Sequence, residues 1–295
     1  MKKIVFSDVT ARDGLQSLSR ILSEDQRISL IKQISKCKFK EIEVGSLVNP
    51  KVMPTMKNSI DVYKKTLNQN IYKSFLLAGN LKSIDIINKN KIKYFSIFTS
   101  PSDQFNKHNI NSTVDESFER FKIMLDKLED RNYHHIKGYI SCIGECPYEG
   151  DVSIDKTINV IEKFKSLGVN EICLADTIGT LKPGKLNKLL NMSRTIFDHN
   201  LLSLHFHTEN EMFNNTWKEN LDVGISNQVL KFDTSILGIG GCPAAYSKKN
   251  KTGNLNIIHA IKYLKSKNYD LEEFNSDLVV NKIIEIENKW RDLLT

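Results

Sequence analysis

The sequence predicts an α/β fold in which eight β-α units close into a barrel. Short apolar runs typical of strands alternate with helical patterns at intervals of about 25 to 35 residues, the rhythm of a parallel sheet. Eight such units fit into 295 residues, a length at which α/β barrels form one domain. Chemically capable residues follow five of these strands, and a barrel gathers the carboxyl ends of its strands at one mouth. The alternative, a doubly wound open sheet, would spread those residues along a crevice.

The predicted strands are short apolar runs bounded by turn residues. They cover Lys3 to Asp8, Glu41 to Val44, Lys73 to Leu77, Tyr94 to Phe98, Lys137 to Cys142, Glu171 to Ala175, Leu202 to His207 and Gln228 to Thr234. Helices are predicted at about 59–66, 81–89, 114–129, 154–167, 185–195, 211–223 and 257–264, with one or two more over 271–294. A capping box, Ser23 to Gln26, marks the start of the first helix. We therefore expect a single (β/α)8 TIM-barrel domain over residues 1–295 with a C-terminal helical extension at about 268–295.

The composition is that of a globular protein that stays out of membranes. Apolar residues make up 40% and charged residues 26% of the chain, and no apolar run approaches the about 18 residues that a membrane span needs. The amino terminus enters the first strand directly, without the length of a targeting peptide. We therefore predict no membrane partner and a cytoplasmic location.

The net charge and the cysteine count narrow further which partners and which kind of site the protein can have. The formal charge is +7, but lysines are mixed with acidic residues on the predicted helix faces, so we expect no nucleic-acid partner. A phosphate-bearing ligand is compatible with this surface. The odd count of five cysteines without an export signal indicates reduced thiols. Cys142 and Cys146 have no matching second pair, which argues against a structural zinc site.

The seventh predicted strand ends in two histidines, His205 and His207. Because side chains alternate along a strand, both must project to the same side, with β-carbons about 7 Å apart. Neutral imidazoles in this arrangement can provide two cis ligands to one metal ion. Two hydrogen-bonded histidines at a strand end are the alternative for this motif taken alone.

Charged residues also lie at the first two strand ends. After the first strand, Arg12 offers a fixed positive fork and Asp13 a hard oxygen ligand, although the same tripeptide with Gly14 also makes ordinary turns. Glu43 on the second strand should point into the barrel, where a carboxylate must pair or act. A structural salt bridge with Arg12 is the alternative.

Three further residues follow the sixth and eighth strands. Asp176 is predicted to act as a general base, an orienting group or a partner of Arg12, with a helix cap as the alternative. Cys242 follows a glycine-rich stretch and could move protons over the mouth, although buried cysteines are more often inert. Asn254 would complete an Asp, His, His, Asn ligand set suited to Mg²⁺ or Mn²⁺, with Zn²⁺ left open.

Motifs along nearly the whole chain match one group of enzymes. The matching segments are Thr10 to Gln16, Glu43 to Met56, Phe118 to Phe121, Gly138 to Gly150, Asp176 to Gly179, His205 with His207, and Gly238 to Pro243. The chain resembles the 3-hydroxy-3-methylglutaryl-CoA lyases, within the metal-dependent barrel lyases and synthases. The run Cys146-Pro147-Tyr148-Glu149-Gly150 and the Gly-Gly-Cys-Pro loop resemble the lyase branch in particular.

The resemblance implies a carbon–carbon lyase that cleaves 3-hydroxy-3-methylglutaryl-CoA to acetyl-CoA and acetoacetate. It implies a divalent cation held by Asp13, His205, His207 and Asn254, with Arg12 stabilising the enolate. It also places Glu43 and Asp176 in the acid/base shell and Cys242 in proton delivery. The chemistry of this cleavage requires a base, which we predict to be Asp176 or His205. The residues expected on the substrate and CoA side are Gln16, Arg20, Ser46, Lys107 and Asn109, with the neighbours of the last two over 105–111. A homodimer is expected, since exposed barrel faces often pair.

Three loops depart from the family pattern and leave other functions open. The departures are at Ser17 to Arg20, at Thr208 to Glu211 and in a longer segment between Cys242 and Asn254. They motivate a related lyase or aldolase acting on another 3-hydroxyacyl-CoA or hydroxy-oxoacid. A zinc-dependent barrel hydrolase is a weaker alternative, because such a hydrolase carries its His-x-His early in the chain. A non-catalytic basic binding protein is the third, and the intact reactive residues speak against it.

Overall fold

The chain folds into a closed parallel barrel surrounded by helices. The computed structural model describes residues 3–69, 71–208, 216–241 and 252–295. Its strands are β1 (Val5–Asp8), β2 (Glu41–Ser46), β3 (Lys73–Leu77), β4 (Tyr94–Thr99), β5 (His135–Ile140), β6 (Glu145–Cys146), β7 (Gly150–Asp151), β8 (Glu171–Asp176), β9 (Leu202–Thr208), β10 (Lys231–Thr234) and β11 (Gly253–Asn254). The strands β1 to β5 and β8 to β10 pair in parallel, and β10 bonds to both β9 and β1. The predicted TIM barrel is therefore confirmed over the open sheet.

The helices follow the predicted order on the outside of the barrel. They are α1 (Glu24–Ile34), α2 (Ser59–Thr66), α3 (Leu81–Asn90), α4 (Asp103–Ile110), α5 (Val114–Asp126), α6 (Ile154–Ser166), α7 (Pro183–Ser193), α8 (Thr216–Ser226), α9 (Ile257–Ser266) and α10 (Asp277–Leu294). The capping box forms as expected: Ser23 Oγ accepts the Gln26 N–H at 3.2 Å, and the Gln26 side chain accepts the Ser23 N–H. None of these helices is both long and apolar enough to cross a membrane, as far as the described ranges extend.

The structure differs from the predicted elements at a few places. The last barrel strand begins at Lys231 instead of Gln228, because Gln228 has a φ of 67° and the next N–H, of Val229, closes α8 on the Gly224 carbonyl. The helix α4 and the β6–β7 hairpin were not predicted. The first residues of the helix predicted over 211–223 lie outside the described part of the chain.

The strand register brings the chemically capable residues to one end of the barrel. In β9, His205 lies beside Ala175 of β8 on one side and beside Asp233 of β10 on the other. The short strand β11 runs antiparallel to β9 and pairs Asn254 with His207. The carboxyl ends of β8, β9 and β10 therefore converge with β11 at the mouth, where barrel enzymes carry their active sites.

Charged side chains fill the opposite, amino-terminal end of the barrel interior. We call this set the floor network, and it consists of Glu41, Lys73, Lys137, Glu171 and Lys231. Glu41 accepts hydrogen bonds from Lys73 at 3.0 Å and from Lys231 at 2.8 Å. Glu171 accepts one from Lys231 at 2.7 Å and lies 3.4 Å from the Lys137 ammonium. Each buried charge in the network thus has a partner of opposite sign.

Candidate active site

The two histidines of β9 face each other at the mouth of the barrel. His207 Nδ1 lies 2.6 Å from the Thr177 carbonyl oxygen, and His205 Nδ1 lies 3.3 Å from Asp233 Oδ2. Both of these oxygens can only accept, so each Nδ1 carries the proton and each Nε2 keeps a lone pair. The two Nε2 atoms are 3.0 Å apart and buried. The same-side projection predicted for the two histidines is confirmed, and their lone pairs converge on one point.

Asp13 joins the histidines from a π-helical turn, Thr10–Gly14, directly after β1. Its Oδ2 atom lies 3.8 Å from His207 Nε2, and the ligand atoms of Asp13, His205 and His207 all lie within 4.8 Å of one another. One-turn π-helices are rare and occur mostly at functional sites. The carboxylate and the two imidazoles thus form a candidate metal site.

Asn254 approaches this trio from β11. Its Nδ2 atom donates to Asp13 Oδ2 at 3.0 Å and to the Ile239 carbonyl at 2.9 Å. Its Oδ1 atom is buried and has no hydrogen-bond partner among the described residues. An unpartnered buried amide oxygen beside a carboxylate and two imidazole lone pairs is costly unless a cation takes it up. The donor set therefore fits a divalent cation.

The charges around the trio favour a positive species. Burial by itself would raise the pKa of Asp13, but the Arg12 guanidinium holds that pKa well below its usual range. Burial would lower the pKa of His207, yet the Asp13 carboxylate raises it above its ordinary value. The groups around Asp13 and His207 thus favour positive charge at this site.

Arg12 is held in place by two carboxylates. Its Nε donates to Glu43 Oε2 at 2.6 Å and its Nη1 to Asp13 Oδ1 at 2.6 Å. The second Glu43 oxygen accepts the Ser96 hydroxyl at 3.0 Å, and the guanidinium lies 5.5 Å from the Tyr139 ring. Burial disfavours the charged guanidinium, but Glu43 and Asp13 together raise its pKa. The inward orientation of Glu43 and its salt bridge with Arg12 are confirmed, whereas its acid/base role stays a prediction.

The sequence analysis missed the residues that orient His205. Asp233 Oδ2 faces the imidazole and also accepts the Tyr139 hydroxyl at 2.8 Å, and Lys137 donates to Asp233 Oδ1 at 3.0 Å. Burial would raise the pKa of Asp233, but the Lys137 ammonium lowers it. A usable signal exists in the sequence: polar residues recur at every second position in β5 and β10, as Lys137 with Tyr139 and Lys231 with Asp233. This alternation indicates strands with a polar interior face.

Asp176 lies at the end of β8 and is buried. Its two carboxylate oxygens accept the backbone N–H groups of Thr180 at 3.1 Å and Leu181 at 3.0 Å. It does not cap α7, since Lys182 occupies that N-cap. Burial raises the pKa of Asp176 to about 6, against the effect of these backbone hydrogen bonds. Its strand neighbours Ala175 and Thr177 line the cavity beside Arg12, whereas Asp176 does not, so its role as a base stays a prediction.

A cavity of about 80 Å³ opens beside the trio. Its lining includes two predicted substrate-side residues, Gln16 and Asn109, together with Arg12. The other three lie elsewhere. Ser46 lines a separate chamber of about 800 Å³, which shares the lining residue Phe98 with the cavity. Contact of these residues with substrate stays a prediction.

The remaining predicted substrate-side residues, Lys107 and Arg20, do not line the cavity. Lys107 is exposed on α4, the helix that carries Asn109. Arg20 is exposed, and its Nη1 lies 3.5 Å from the Asp292 carbonyl oxygen of α10. Cys242 lies outside the described residues. Their predicted roles are neither supported nor opposed by the described contacts.

Two glycines directly before Cys242 lie against the candidate metal site. The Gly241 N–H donates to Asp13 Oδ2 at 3.3 Å. Gly240 has a φ of 146°, and a β-carbon there would overlap Asn254 Nδ2. Glycine at this position therefore allows the loop to pack against both Asp13 and Asn254.

A parallel barrel with one carboxylate, two cis imidazoles and an unpartnered amide oxygen at its mouth defines a class of barrel enzymes that use a divalent cation. Residues 3–289 match the family model described as HMGL-like. The chain belongs to this family, which depends on a metal.

Named relatives and solved structures agree with the family. The mitochondrial hydroxymethylglutaryl-CoA lyase of Macaca fascicularis is 33% identical over 264 residues, covering 89% of this chain and 79% of the relative. The 3-hydroxy-3-isohexenylglutaryl-CoA/hydroxymethylglutaryl-CoA lyase of Pseudomonas aeruginosa is 32% identical over 255 residues, with 86% and 82% covered. The HMG-CoA lyase of Acinetobacter baumannii, solved with coenzyme A and 3-methylmalate, superposes with a TM-score of 0.87 at 25% identity, covering 99% of this chain and 91% of that chain.

Proposed function

We propose that the protein cleaves 3-hydroxy-3-methylglutaryl-CoA to acetyl-CoA and acetoacetate. The observation that carries the proposal is that Arg12 and the trio Asp13, His205 and His207 line one cavity at the barrel mouth. The names of the relatives point to the same reaction. The activity is a carbon–carbon bond cleavage, so the site must remove a hydroxyl proton and hold the negative charge that follows.

The bonds broken and formed in this cleavage define what each residue must do. A base removes the proton of the tertiary hydroxyl, and the C2–C3 bond breaks as C3 becomes the ketone of acetoacetate. The bonding pair moves to the thioester as an enolate, which a proton at C2 converts to acetyl-CoA. A divalent cation at Asp13, His205, His207 and Asn254, which we propose to be Mg²⁺ or Mn²⁺, would acidify and orient the hydroxyl.

Arg12 is positioned to stabilise the enolate. Glu43 and Asp13 occupy N–H groups on two sides of its guanidinium and fix the plane of the fork. The remaining N–H groups are available to an oxyanion, and a fixed positive charge in a buried site stabilises a developing charge strongly. Glu43 then acts by keeping Arg12 oriented, and Cys242 is the proposed proton donor to C2.

The base is either Asp176 or His205, and pH separates the two. The pKa of Asp176 is raised to about 6 by burial, so as a base it would lose activity below that pH. We expect the kcat of the wild type to fall on the acid side with a midpoint near pH 6, and Asp176→Asn to abolish this limb together with most of the rate. An Asp176→Asn variant that keeps the limb would exclude Asp176 as the base.

A second candidate substrate is a 3-hydroxyglutaryl-CoA with a longer alkyl group at C3. The chamber that shares Phe98 with the cavity has about 800 Å³ and includes apolar side chains such as Leu47, Met56 and Phe121. Such a chamber can take the pantetheine arm of CoA or an alkyl chain. The relative from Pseudomonas aeruginosa is named for both kinds of substrate.

The deciding experiment incubates the purified protein with Mg²⁺ or Mn²⁺ and each thioester in turn. Acetoacetate and acetyl-CoA from the methylglutaryl thioester are the expected products. Preference for the isohexenyl thioester would support the second candidate, and no cleavage of either would contradict both. The variant Cys242→Ala should cut turnover while leaving metal content nearly unchanged, and a full rate in that variant would remove Cys242 from the mechanism.

A further inference from the structure

The C-terminal helix α10 carries a buried carboxylate on its apolar face. The buried residues of this helix are Val279, Ile283, Ile286, Glu287, Trp290 and Leu294. Only Glu287 among them is charged, and it is 8% exposed. A carboxylate among apolar neighbours is costly unless it is hydrogen-bonded, so its partners indicate why it is there.

Both hydrogen bonds of Glu287 lead to one loop at the barrel mouth. We define the mouth loop as residues 238–254, of which 242–251 lie outside the described part of the chain. Glu287 Oε1 accepts the backbone N–H of Leu237 at 2.9 Å, directly before the loop. The same oxygen accepts Nδ2 of Asn256 at 3.1 Å, shortly after the loop. One carboxylate oxygen thus joins the two stems.

Each stem contains a polar group that needs such a partner. Leu237 has a φ of 58°, which is unfavourable for a residue with a branched side chain. Asn256 caps α9, since its Oδ1 accepts the N–H groups of Ile258 and His259, so its Nδ2 must find an acceptor elsewhere. Glu287 satisfies both groups at once and holds the stems at a fixed separation.

The mouth loop in turn contacts the candidate metal site. Gly241 and Asn254, from its two ends, both donate to Asp13 Oδ2. The position of the stems therefore helps to set where the Asn254 side chain lies against Asp13. A shift of one stem by a fraction of an ångström would misplace that side chain.

We propose that Glu287 is a positioning residue of the metal centre, because it clamps both stems of the loop that delivers Asn254 to Asp13. The C-terminal helix is then part of the catalytic apparatus. The catalytic consequence rests on the proposed function, whereas the effect on metal affinity does not.

The first test compares Glu287→Ala with Glu285→Ala, which removes an exposed carboxylate from the same helix. Mn²⁺ binding is followed by calorimetry on otherwise metal-free protein, well below the unfolding temperature of each variant. We expect Glu287→Ala to weaken Mn²⁺ binding about 10-fold or more and to lower kcat more than it raises KM. Glu285→Ala should match the wild type. Glu287→Gln keeps an acceptor oxygen and should restore most of the affinity.

A second pair of variants avoids emptying the core. Asn256→Asp keeps the cap of α9 but sets a second carboxylate against Glu287, so it should weaken Mn²⁺ binding as Glu287→Ala does. Combining it with Glu287→Gln supplies an amide that can donate to the new carboxylate and still accept the Leu237 N–H. We therefore expect the double variant to bind Mn²⁺ more tightly than Asn256→Asp alone.

Two results would overturn the proposal. The first is Mn²⁺ affinity in Glu287→Ala or Asn256→Asp equal to that of Glu285→Ala. The second is unchanged hydrogen exchange of the Leu237 and Gly241 amides in these variants without metal, because a released clamp must expose them. If the wild type binds Mn²⁺ but cleaves neither thioester, the proposed function fails while the clamp remains tested by affinity and exchange.

Discussion

The floor and the mouth of the barrel contain similar charged residues but differ in how their charges balance. Together with Asp233, the floor network brings three lysines against three carboxylates within one set of contacts. At the mouth, Arg12 faces both Asp13 and Glu43, and two imidazole lone pairs and one amide oxygen add further acceptors. The described mouth residues therefore carry more negative than positive charge.

The comparison separates a structural ion network from a binding site. Removing one charge from a balanced buried network leaves its partner buried without a counter-charge. The floor network therefore contributes to folding, and substitutions in it should lower the stability of the protein. The mouth has more acceptor atoms than positive groups to pair with them. The free-energy cost of burying these acceptors is offset when a cation binds. The same residue types thus serve stability at one end and metal chemistry at the other. Four predictions, in order of expected effect, can break or sharpen this distinction.

The largest effect is expected from His207→Ala. Because His207 supplies one of two converging lone pairs, its removal should weaken divalent-cation binding by more than the roughly 10 to 100-fold typical of residues that only support a ligand. Turnover of the thioester should be nearly lost. Elemental analysis and Mn²⁺ calorimetry measure the stoichiometry and affinity. The control is His135→Gln, near the floor, which should keep its metal. Unchanged stoichiometry in His207→Ala would contradict the ligand assignment.

The second prediction concerns Lys137→Met, which removes a floor cation and leaves Asp233 buried without it. The free energy of unfolding should fall by about 3 to 5 kcal/mol in metal-free protein, measured by urea denaturation. Lys163→Met breaks the surface pair with Asp115 at 2.8 Å and should cost at most about 1 kcal/mol. Equal losses in the two variants would show that the floor network is not a closed structural unit.

The third prediction is that Arg12→Lys lowers kcat by roughly 100 to 1000-fold. A lysine keeps the charge but cannot contact Glu43, Asp13 and an oxyanion with one planar group. Steady-state kinetics at saturating metal measure the effect, and thermal unfolding checks that the fold persists. A rate within about threefold of the wild type would place the enolate-stabilising group elsewhere.

The smallest effect is a pH-dependent one at Asp8, the last residue of β1. Burial raises the pKa of Asp8 to about 7, although its hydrogen bonds from Thr10 oppose this. A raised pKa means that folding favours the protonated acid, so the stabilisation is complete below the unfolded pKa of 3.8 and is lost as the pH rises through about 7. Relative to Asp8→Asn, the wild type should lose about 2 to 3 kcal/mol between pH 5 and pH 8.

Urea denaturation of both proteins at several pH values tests this expectation. The variant Asp8→Asn keeps an acceptor for the Thr10 N–H and has no ionisable group, so it isolates the carboxyl group. A stability difference that does not change with pH would mean that Asp8 keeps its charge in the folded protein. Asp8 would then resemble Asp233, whose pKa is lowered because Lys137 outweighs the effect of burial.

Much of this architecture could be predicted from local patterns. The order of strands and helices followed from alternating apolar periods, and the side-by-side placement of His205 and His207 followed from the two-residue repeat of a strand. The convergence of Asp13 with these histidines followed from the rule that barrel strands end at one mouth. Only local geometry and one topological rule were needed for these predictions.

Which residues pair across the barrel could not be predicted in the same way. Lys137 meets Asp233 from 96 positions earlier in the chain, and Glu287 meets Leu237 from 50 positions later. A strand pattern indicates which face a residue occupies, but the residue across the barrel depends on register and closure. Without coordinates, Glu287 is one polar residue on an amphipathic helix.

The amino-acid sequence by itself determined the barrel, the polar strand ends and the ligand types collected at the mouth, because these depend on periods of two and 3.6 residues. Only the tertiary structure decided that the floor is charge-balanced, that the mouth collects surplus acceptors and that α10 contacts both stems of the mouth loop. Those properties depend on distances between residues far apart in the chain, which are set when the barrel closes and its side chains pack.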